Sequence, residues 1–126
     1  MHLLRKFDIS KDYDILCMWH EMYGIRPPQP ENISRFGVIV EGVAAGFLLK
    51  TDTCTALLEG FIANPESWDY ERDEALDSIA ESLIEEALKQ GFKNIVCFTK
   101  LPVIVKRAQK FGLKEIGDYK LLSRGL

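Results

Sequence analysis

The feature that most constrains this chain is a long amphipathic helix set between two strands. Residues 71–90 repeat apolar side chains at Leu76, Ile79, Ala80, Leu83, Ile84, Ala87 and Leu88. That is the i, i+3, i+4, i+7 spacing of a helix that buries one stripe. Asp73, Asp77, Glu81 and Glu85 fall on the opposite face. Lys89 in the last turn complements the negative end of the helix dipole, and Gly91 after Gln90 suits a C-cap. Such a stripe needs a surface to cover, and the flanking runs supply one. Residues 54–63 read as a largely apolar strand before the helix, and residues 94–99 as a second strand after it.

The rest of the chain adds to this unit. Residues 2–7 read as a first strand. Asp8 or Ser10 can cap the helix that follows, with Asp12 and Asp14 in its first turns and Ile15, Leu16, Trp19, Met22 and Tyr23 as its stripe. Gly24 ends it, and the run Arg26-Pro27-Pro28-Gln29-Pro30 is a stiff extended connector, read first as a simple crossover and second as a loop that lines a pocket beside Tyr23 and Arg26. Residues 36–40 and 43–50 form a hairpin through Glu41-Gly42. The small residues Ala44, Ala45 and Gly46 call for something packed close by. Gly60 marks a bulge or a close backbone approach in the next strand. Pro102 opens a last helix, with Ile104, Val105, Ala108 and Phe111 on one side and Lys106, Arg107 and Lys110 outside. Gly112 caps it, and residues 113–116 and 119–123 read as final extended pieces. The expected architecture is α/β: a mixed central sheet, mainly antiparallel in the N-terminal half, with a parallel pair around the long helix and helices covering it. Residues 1–126 are expected to form a single domain.

Composition narrows the classes of function. No apolar run reaches membrane-spanning length, and residues 1–7 hold no long apolar signal region, which gives a cytoplasmic expectation. Cys17, Cys54 and Cys97 are odd in number and widely spaced. They suit neither a disulfide framework nor a zinc site and read as buried free thiols. No other metal-ligand spacing is present. The net charge of −3 is unevenly divided. Residues 1–90 hold 8 Lys and Arg against 17 Asp and Glu, and residues 91–126 hold 8 against 2. The C-terminal third can therefore face an anion, while the acidic remainder disfavours nucleic acid.

The run Ser82-Leu83-Ile84-Glu85-Glu86-Ala87-Leu88-Lys89-Gln90-Gly91-Phe92-Lys93-Asn94-Ile95 resembles a helix leading into a strand in the acyl-CoA N-acyltransferase (GNAT) superfamily. The run Ala108-Gln109-Lys110-Phe111-Gly112-Leu113-Lys114-Glu115-Ile116-Gly117-Asp118-Tyr119 is similar to that family's last helix, the glycine after it and the following strand. The likeness covers the second half of the chain in sequence and the first half in element order. It also extends to small divergent acetyltransferase-like proteins encoded by tailed phages. The resemblance implies acetyl-CoA as cofactor, no metal, and transfer of an acetyl group to a small amine or a protein amine.

In that family a Q/R-x-x-G-x-G/A loop before the long helix holds the pyrophosphate on backbone amides and the helix N-terminus, a general anion site. Here the three signature positions are Glu71, Glu74 and Leu76, and no glycine lies between Gly60 and Gly91. Each first-turn carboxylate would repel a phosphate charge by roughly 2 kcal/mol at about 7 Å and an effective dielectric near 20. Arg72 offsets part of this. The resemblance carries the cofactor contacts onto Ile62, Ala63, Arg72, Asp73, Glu74, Ala75 and Leu76, and onto the basic cluster of Lys100, Lys106 and Arg107. It implies Glu59 as general base, on the same strand face as Leu57 and Phe61. The usual tyrosine acid is replaced by Ala108, with Tyr119 as the nearest substitute. His20 reads as a solvated or capping residue, and Trp68 and Tyr70 as packing against the sheet edge. Two readings stay open: a divergent N-acetyltransferase, or a non-catalytic protein on the same fold that binds another protein. A homodimer is compatible with either.

Overall fold

The first helix is anchored by charge before it is anchored by packing. In the computed structural model, which describes residues 3–126, strand β1 spans Leu4–Lys6 and helix α1 spans Ile9–Met22. His2, expected in the first strand, lies outside the described residues. Asp8 caps α1, its carboxylate accepting the Ser10 N–H at 3.0 Å. Asp12, one turn in, is buried. Its two oxygens accept from the Arg5 guanidinium at 2.7 and 2.8 Å, and one also accepts the Asp8 N–H at 2.9 Å. A bidentate, charge-assisted pair of this kind fixes helix against strand in both distance and angle. Leu16 and Trp19 then bury on the sheet, whereas Met22 and Tyr23, expected in the stripe, are exposed past the last buried turn. Gly24 ends the helix at φ 70°.

The extended crossover is tied back by Tyr13, whose hydroxyl donates to the Pro28 carbonyl at 2.8 Å, and it closes in a single 3-10 turn at Pro30–Asn32. Three strands follow: β2 (Phe36–Val40), β3 (Ala44–Lys50) and β4 (Thr55–Ala63). Helix α2 (Asp69–Lys89), strand β5 (Asn94–Cys97) and helix α3 (Pro102–Lys110) complete the elements. The sheet order is β1-β2-β3-β4-β5, antiparallel except for the parallel β4–β5 pair around α2. The mixed sheet expected from the sequence is present.

Each face of the sheet has its own core. On one side Phe7, Leu16, Trp19, Ile39, Ala45, Phe47 and Ile62 pack together under α1. On the other, α2 buries Ala75, Ile79, Leu83 and Ala87 against Val38, Val40, Leu48, Ala56, Leu58 and Ala63. Gly46 shows why small residues are needed there. A Cβ at that position would sit 2.7 Å from Ile79 Cγ2 and 3.0 Å from the Phe61 ring.

Several expectations need correction. Helix α2 begins two residues earlier than residue 71, so Trp68 and Tyr70 flank its start and are about 70 % exposed rather than packed on an edge. Leu88, placed in the stripe, is 68 % exposed in the last turn of α2. Residues 113–116 and 119–123 join no strand, and Ile116, Tyr119, Leu121 and Leu122 are exposed. Cys54 is exposed in the turn before β4, and Cys17 and Cys97 are only half-buried. Among the described residues no helix is long and apolar enough to cross a membrane.

The Arg5–Asp12 pair generates a test. Its hydrogen bonds hold the Asp12 carboxyl below the usual carboxylate range. The stabilisation is therefore present above about pH 4 and is lost as the pH falls through the lowered native value. An Asp12→Asn variant should lose about 2–3 kcal/mol at neutral pH, less than a fully buried pair because Arg5 keeps some solvent. In urea unfolding the gap from wild type should close in acid.

Candidate active site

The site begins with a register change. Across the β3–β4 pair, Ala45 faces Ile62 and Phe47 faces Glu59, so Gly46 alone opposes two residues of β4. Gly60 takes the extra position at φ 64°, the left-handed conformation that a glycine-type bulge requires. Side-chain alternation therefore resets. Ala56 and Leu58 face α2, and so do Phe61 and Ala63 after the bulge, while Ile62 faces α1. Glu59 is consequently on the opposite face from Phe61, not the same face as expected. The bulge signal at Gly60 was readable in the sequence, but its effect on the phase of the strand was not carried through.

Glu59, next to Leu58 and before the bulge, takes the α1 face by ordinary alternation and projects into a cavity of about 150 Å3 between β4, α1 and the proline-rich crossover. Leu16, Pro28, Ile33 and Phe47 give it apolar walls, and His20 shares it. His20 Nδ1 lies 2.8 Å from the Leu16 carbonyl. A carbonyl only accepts, so Nδ1 is the donor there and Nε2 is left for other contacts. Among the described residues Glu59 has no hydrogen-bond or ion-pair partner, and burial alone pushes its pKa up. His20, expected to be a solvated or capping side chain, belongs to this cavity; its carbonyl bond four residues back is not a cap of the helix end.

The β4–β5 pairing ends at Leu58–Cys97, while β4 continues to Ala63. Among the described residues the β5 side of β4 has no strand partner beyond that point, so the sheet is split beside Glu59, Ile62 and Ala63. Tyr119 is on the β5 side of the chain. Its ring meets that of Phe98, just past β5, edge to face at 6.0 Å. It is 68 % exposed, on an irregular segment rather than a strand.

The turn from β4 into α2 is closed by its own groups. The Asn64 N–H bonds Val43 O at 2.7 Å, the Glu66 N–H bonds Asn64 Oδ1 at 2.9 Å and the Ser67 N–H bonds Asn64 O at 3.1 Å. The Trp68 N–H bonds Glu71 Oε1 at 3.1 Å. Pro65 has no N–H, so every amide of residues 64–68 is bonded within the chain. Arg72 turns back over the turn, donating to the Pro65 and Ser67 carbonyls and to Asp69. The first amide that the helix closes for itself is that of Arg72, on Trp68 O at 3.0 Å. The signature positions 71–76 thus lie inside regular helix, with Ala75 buried, Leu76 half-buried and Asp73 and Glu74 exposed. The amides of residues 64–68 therefore offer a diphosphate no free donor.

The basic cluster is divided. Arg107, expected on the outside, turns toward α2, where it donates to Asp73 Oδ1 at 2.7 Å and Asp77 Oδ1 at 2.6 Å. Lys110 bonds Asp77 Oδ2 at 2.6 Å. Burial alone would raise the Asp77 pKa, but these cations hold it below its usual range. Lys100 and Lys106 stay exposed and are the cations of the cluster left for an anion. No residue of α3 is fully buried, so these ion pairs are a main tie between it and α2. An Arg107→Ala variant should leave the global unfolding midpoint within a few degrees of wild type. Backbone amides of residues 104–110 should exchange roughly tenfold faster, as expected for local opening eased by about 1.4 kcal/mol.

No family model and no curated protein matches the sequence. Solved structures do match it. An acetyltransferase from Trypanosoma brucei superposes with a TM-score of 0.72 at 11 % identity, over 98 % of this chain and 100 % of that one. Glucosamine-6-phosphate N-acetyltransferase from Arabidopsis thaliana gives 0.69 at 12 %, over 98 % and 99 %. A predicted acetyltransferase from Clostridium acetobutylicum, solved with acetyl-CoA, gives 0.68 at 15 %, over 98 % and 96 %. Identities this low carry the architecture alone, and the chain has the fold of the GNAT acetyltransferases.

Proposed function

We propose that the chain is a divergent N-acetyltransferase that transfers an acetyl group from acetyl-CoA to a small amine, with Glu59 as the general base. One observation carries this reading: an unpartnered carboxylate with a pKa raised by burial faces a small cavity. An amine must be neutral to attack a thioester, and at neutral pH most aliphatic amines are not. A carboxylate whose pKa is lifted toward the working pH takes that proton more effectively than an ordinary one. The apolar walls suit an amine with a compact hydrocarbon body.

The split beyond Leu58–Cys97 supports the same reading. The β5 side of β4, unpaired beyond Leu58 among the described residues, is a backbone edge that an extended, amide-bearing chain can join. Lys100 and Lys106 remain for phosphate charge, since the amides of residues 64–68 are bonded within the chain. Tyr119 keeps the role of proton donor in this proposal.

A second reading has its own support. The closed turn at residues 64–68 and the commitment of Arg72 and Arg107 to internal partners favour a non-catalytic protein-binding module.

Calorimetric titration with acetyl-CoA and with CoA separates the two. Binding in the micromolar range supports the first, and no heat up to millimolar ligand leaves the second. A Glu59→Gln variant should lose roughly 10²–10⁴-fold in acetylation rate, the usual contribution of a positioned base. It should also be more stable than wild type at neutral pH. A raised pKa favours the native state below the unfolded value near 4.5, and that favour is lost as the pH climbs through the folded value. The stability gain of Gln over the ionised Glu should accordingly vanish in acid. Unchanged activity in this variant would remove Glu59 from the mechanism.

A further inference from the structure

We propose that His20 and Ser34 hold the amine substrate in the Glu59 cavity, each offering a lone pair to one of its N–H groups. The proposal rests on the acetyl-transfer reading for the use of this site, while the site itself can be tested without acetyl-CoA. The protons of both side chains are already committed. The Ser34 hydroxyl donates to the Leu48 carbonyl at 2.6 Å, and His20 Nδ1 donates to the Leu16 carbonyl at 2.8 Å. A carbonyl has no proton to return. Ser34 Oγ and the Nε2 of the neutral imidazole are therefore acceptors toward any other group. The Glu59 carboxylate accepts as well. Three side chains of one cavity wall thus carry lone pairs, and among the described residues that line it Asn32 is the one side chain with N–H groups to give.

Such a wall suits a ligand head rich in donors. A primary ammonium group has three N–H bonds and no lone pair, which matches three acceptors. When Glu59 removes one proton, the electron pair of that bond stays on nitrogen. The two remaining N–H bonds keep His20 and Ser34 satisfied, so the nitrogen is held in place while its lone pair is uncovered. Charge limits the rest of the ligand. No Lys or Arg is among the described residues lining the cavity, so a carboxylate or phosphate on the amine would meet Glu59 with nothing to offset it. The class assigned is a primary amine with an uncharged, apolar body, in keeping with Leu16, Ile33 and Phe47.

Butylamine is the probe. In protein carrying isotope-labelled histidine, titration with butylamine should move the His20 Nε2 resonance and leave that of Nδ1 nearly still. Affinity is read on the Gly60 amide, which every variant retains. His20→Asn keeps an N–H for the Leu16 carbonyl but has no atom at the Nε2 position. It should bind butylamine roughly tenfold more weakly, the contribution of one hydrogen bond to a charged group. His20→Gln, whose amide oxygen reaches that position, should recover most of the loss. Ser34→Ala should weaken binding by a similar factor, with circular dichroism checking the fold of each variant. γ-Aminobutyrate, the same amine ending in a carboxylate, should bind wild type roughly tenfold more weakly than butylamine. A Nε2 resonance unmoved by butylamine would overturn the proposal. Equal affinity in wild type and His20→Asn, or γ-aminobutyrate bound as tightly as butylamine, would overturn it too. His20-dependent binding with no acetylation of butylamine on adding acetyl-CoA would uphold the site and remove the catalytic reading. Acetylation at the wild-type rate in His20→Asn would do the reverse.

Discussion

The bulge at Gly60 is the constraint on which the rest of the molecule depends. A regular β4 would send Glu59 and Phe61 to one face and leave the α2 side without Phe61 and Ala63. One left-handed glycine shifts the phase, so the second half of β4 contributes to both cores while Glu59 is kept out of them. The neighbouring side chains leave little freedom at this point. A Cβ on Gly60 would meet the Phe47 ring at 3.0 Å, and one on Gly37, across the sheet, would meet it at 2.4 Å. Phe47 thus lies between two glycines and forms part of the cavity into which Glu59 projects.

The start of α2 solves a different problem with the same economy. Any helix leaves amides unsatisfied at its N-terminus. In an anion-binding protein a ligand satisfies them. Here Glu71 reaches back to the Trp68 N–H, the Asn64 side chain bonds the Glu66 N–H, and Arg72 takes the carbonyls. Glu71 is therefore part of a cap that the chain builds for itself, while Asp73 is engaged by Arg107. Base and anion site are separable features of a fold, and here the amides of residues 64–68 are bonded within the chain.

Much of this was legible in the sequence. Periodicity located α2, Gly24, Gly91 and Gly112 located helix ends, and the Glu41-Gly42 hairpin set the pairing of β2 with β3. The split of charge between residues 1–90 and 91–126 was visible, but its internal use was not. Only the fold brings Arg107 to Asp73 and Asp77, some thirty positions away. Asp12 read as a dipole-stabilising residue, yet its main partner is Arg5 on the neighbouring strand. The terminal strands were misread because alternating apolar residues mark strand competence, which does not by itself bring a segment to a sheet edge. The phase of β4 was missed because alternation was counted through a glycine that breaks it.

The chain-ordered sheet also has a kinetic consequence. Strands β2 to β4 follow one another through short turns, so their contacts close over small loops, the β2–β3 turn the tightest of them. The β1–β2 and β4–β5 pairs are different, because α1 and the crossover intervene in the first and the 21 residues of α2 in the second. Loop entropy must be met before those pairings return any stabilisation. On this ordering the β2–β4 meander, with the Gly60 bulge inside it, acquires its shape without help from the C-terminal third. The split sheet, α3 and the exposed tail are then late additions to a frame already set.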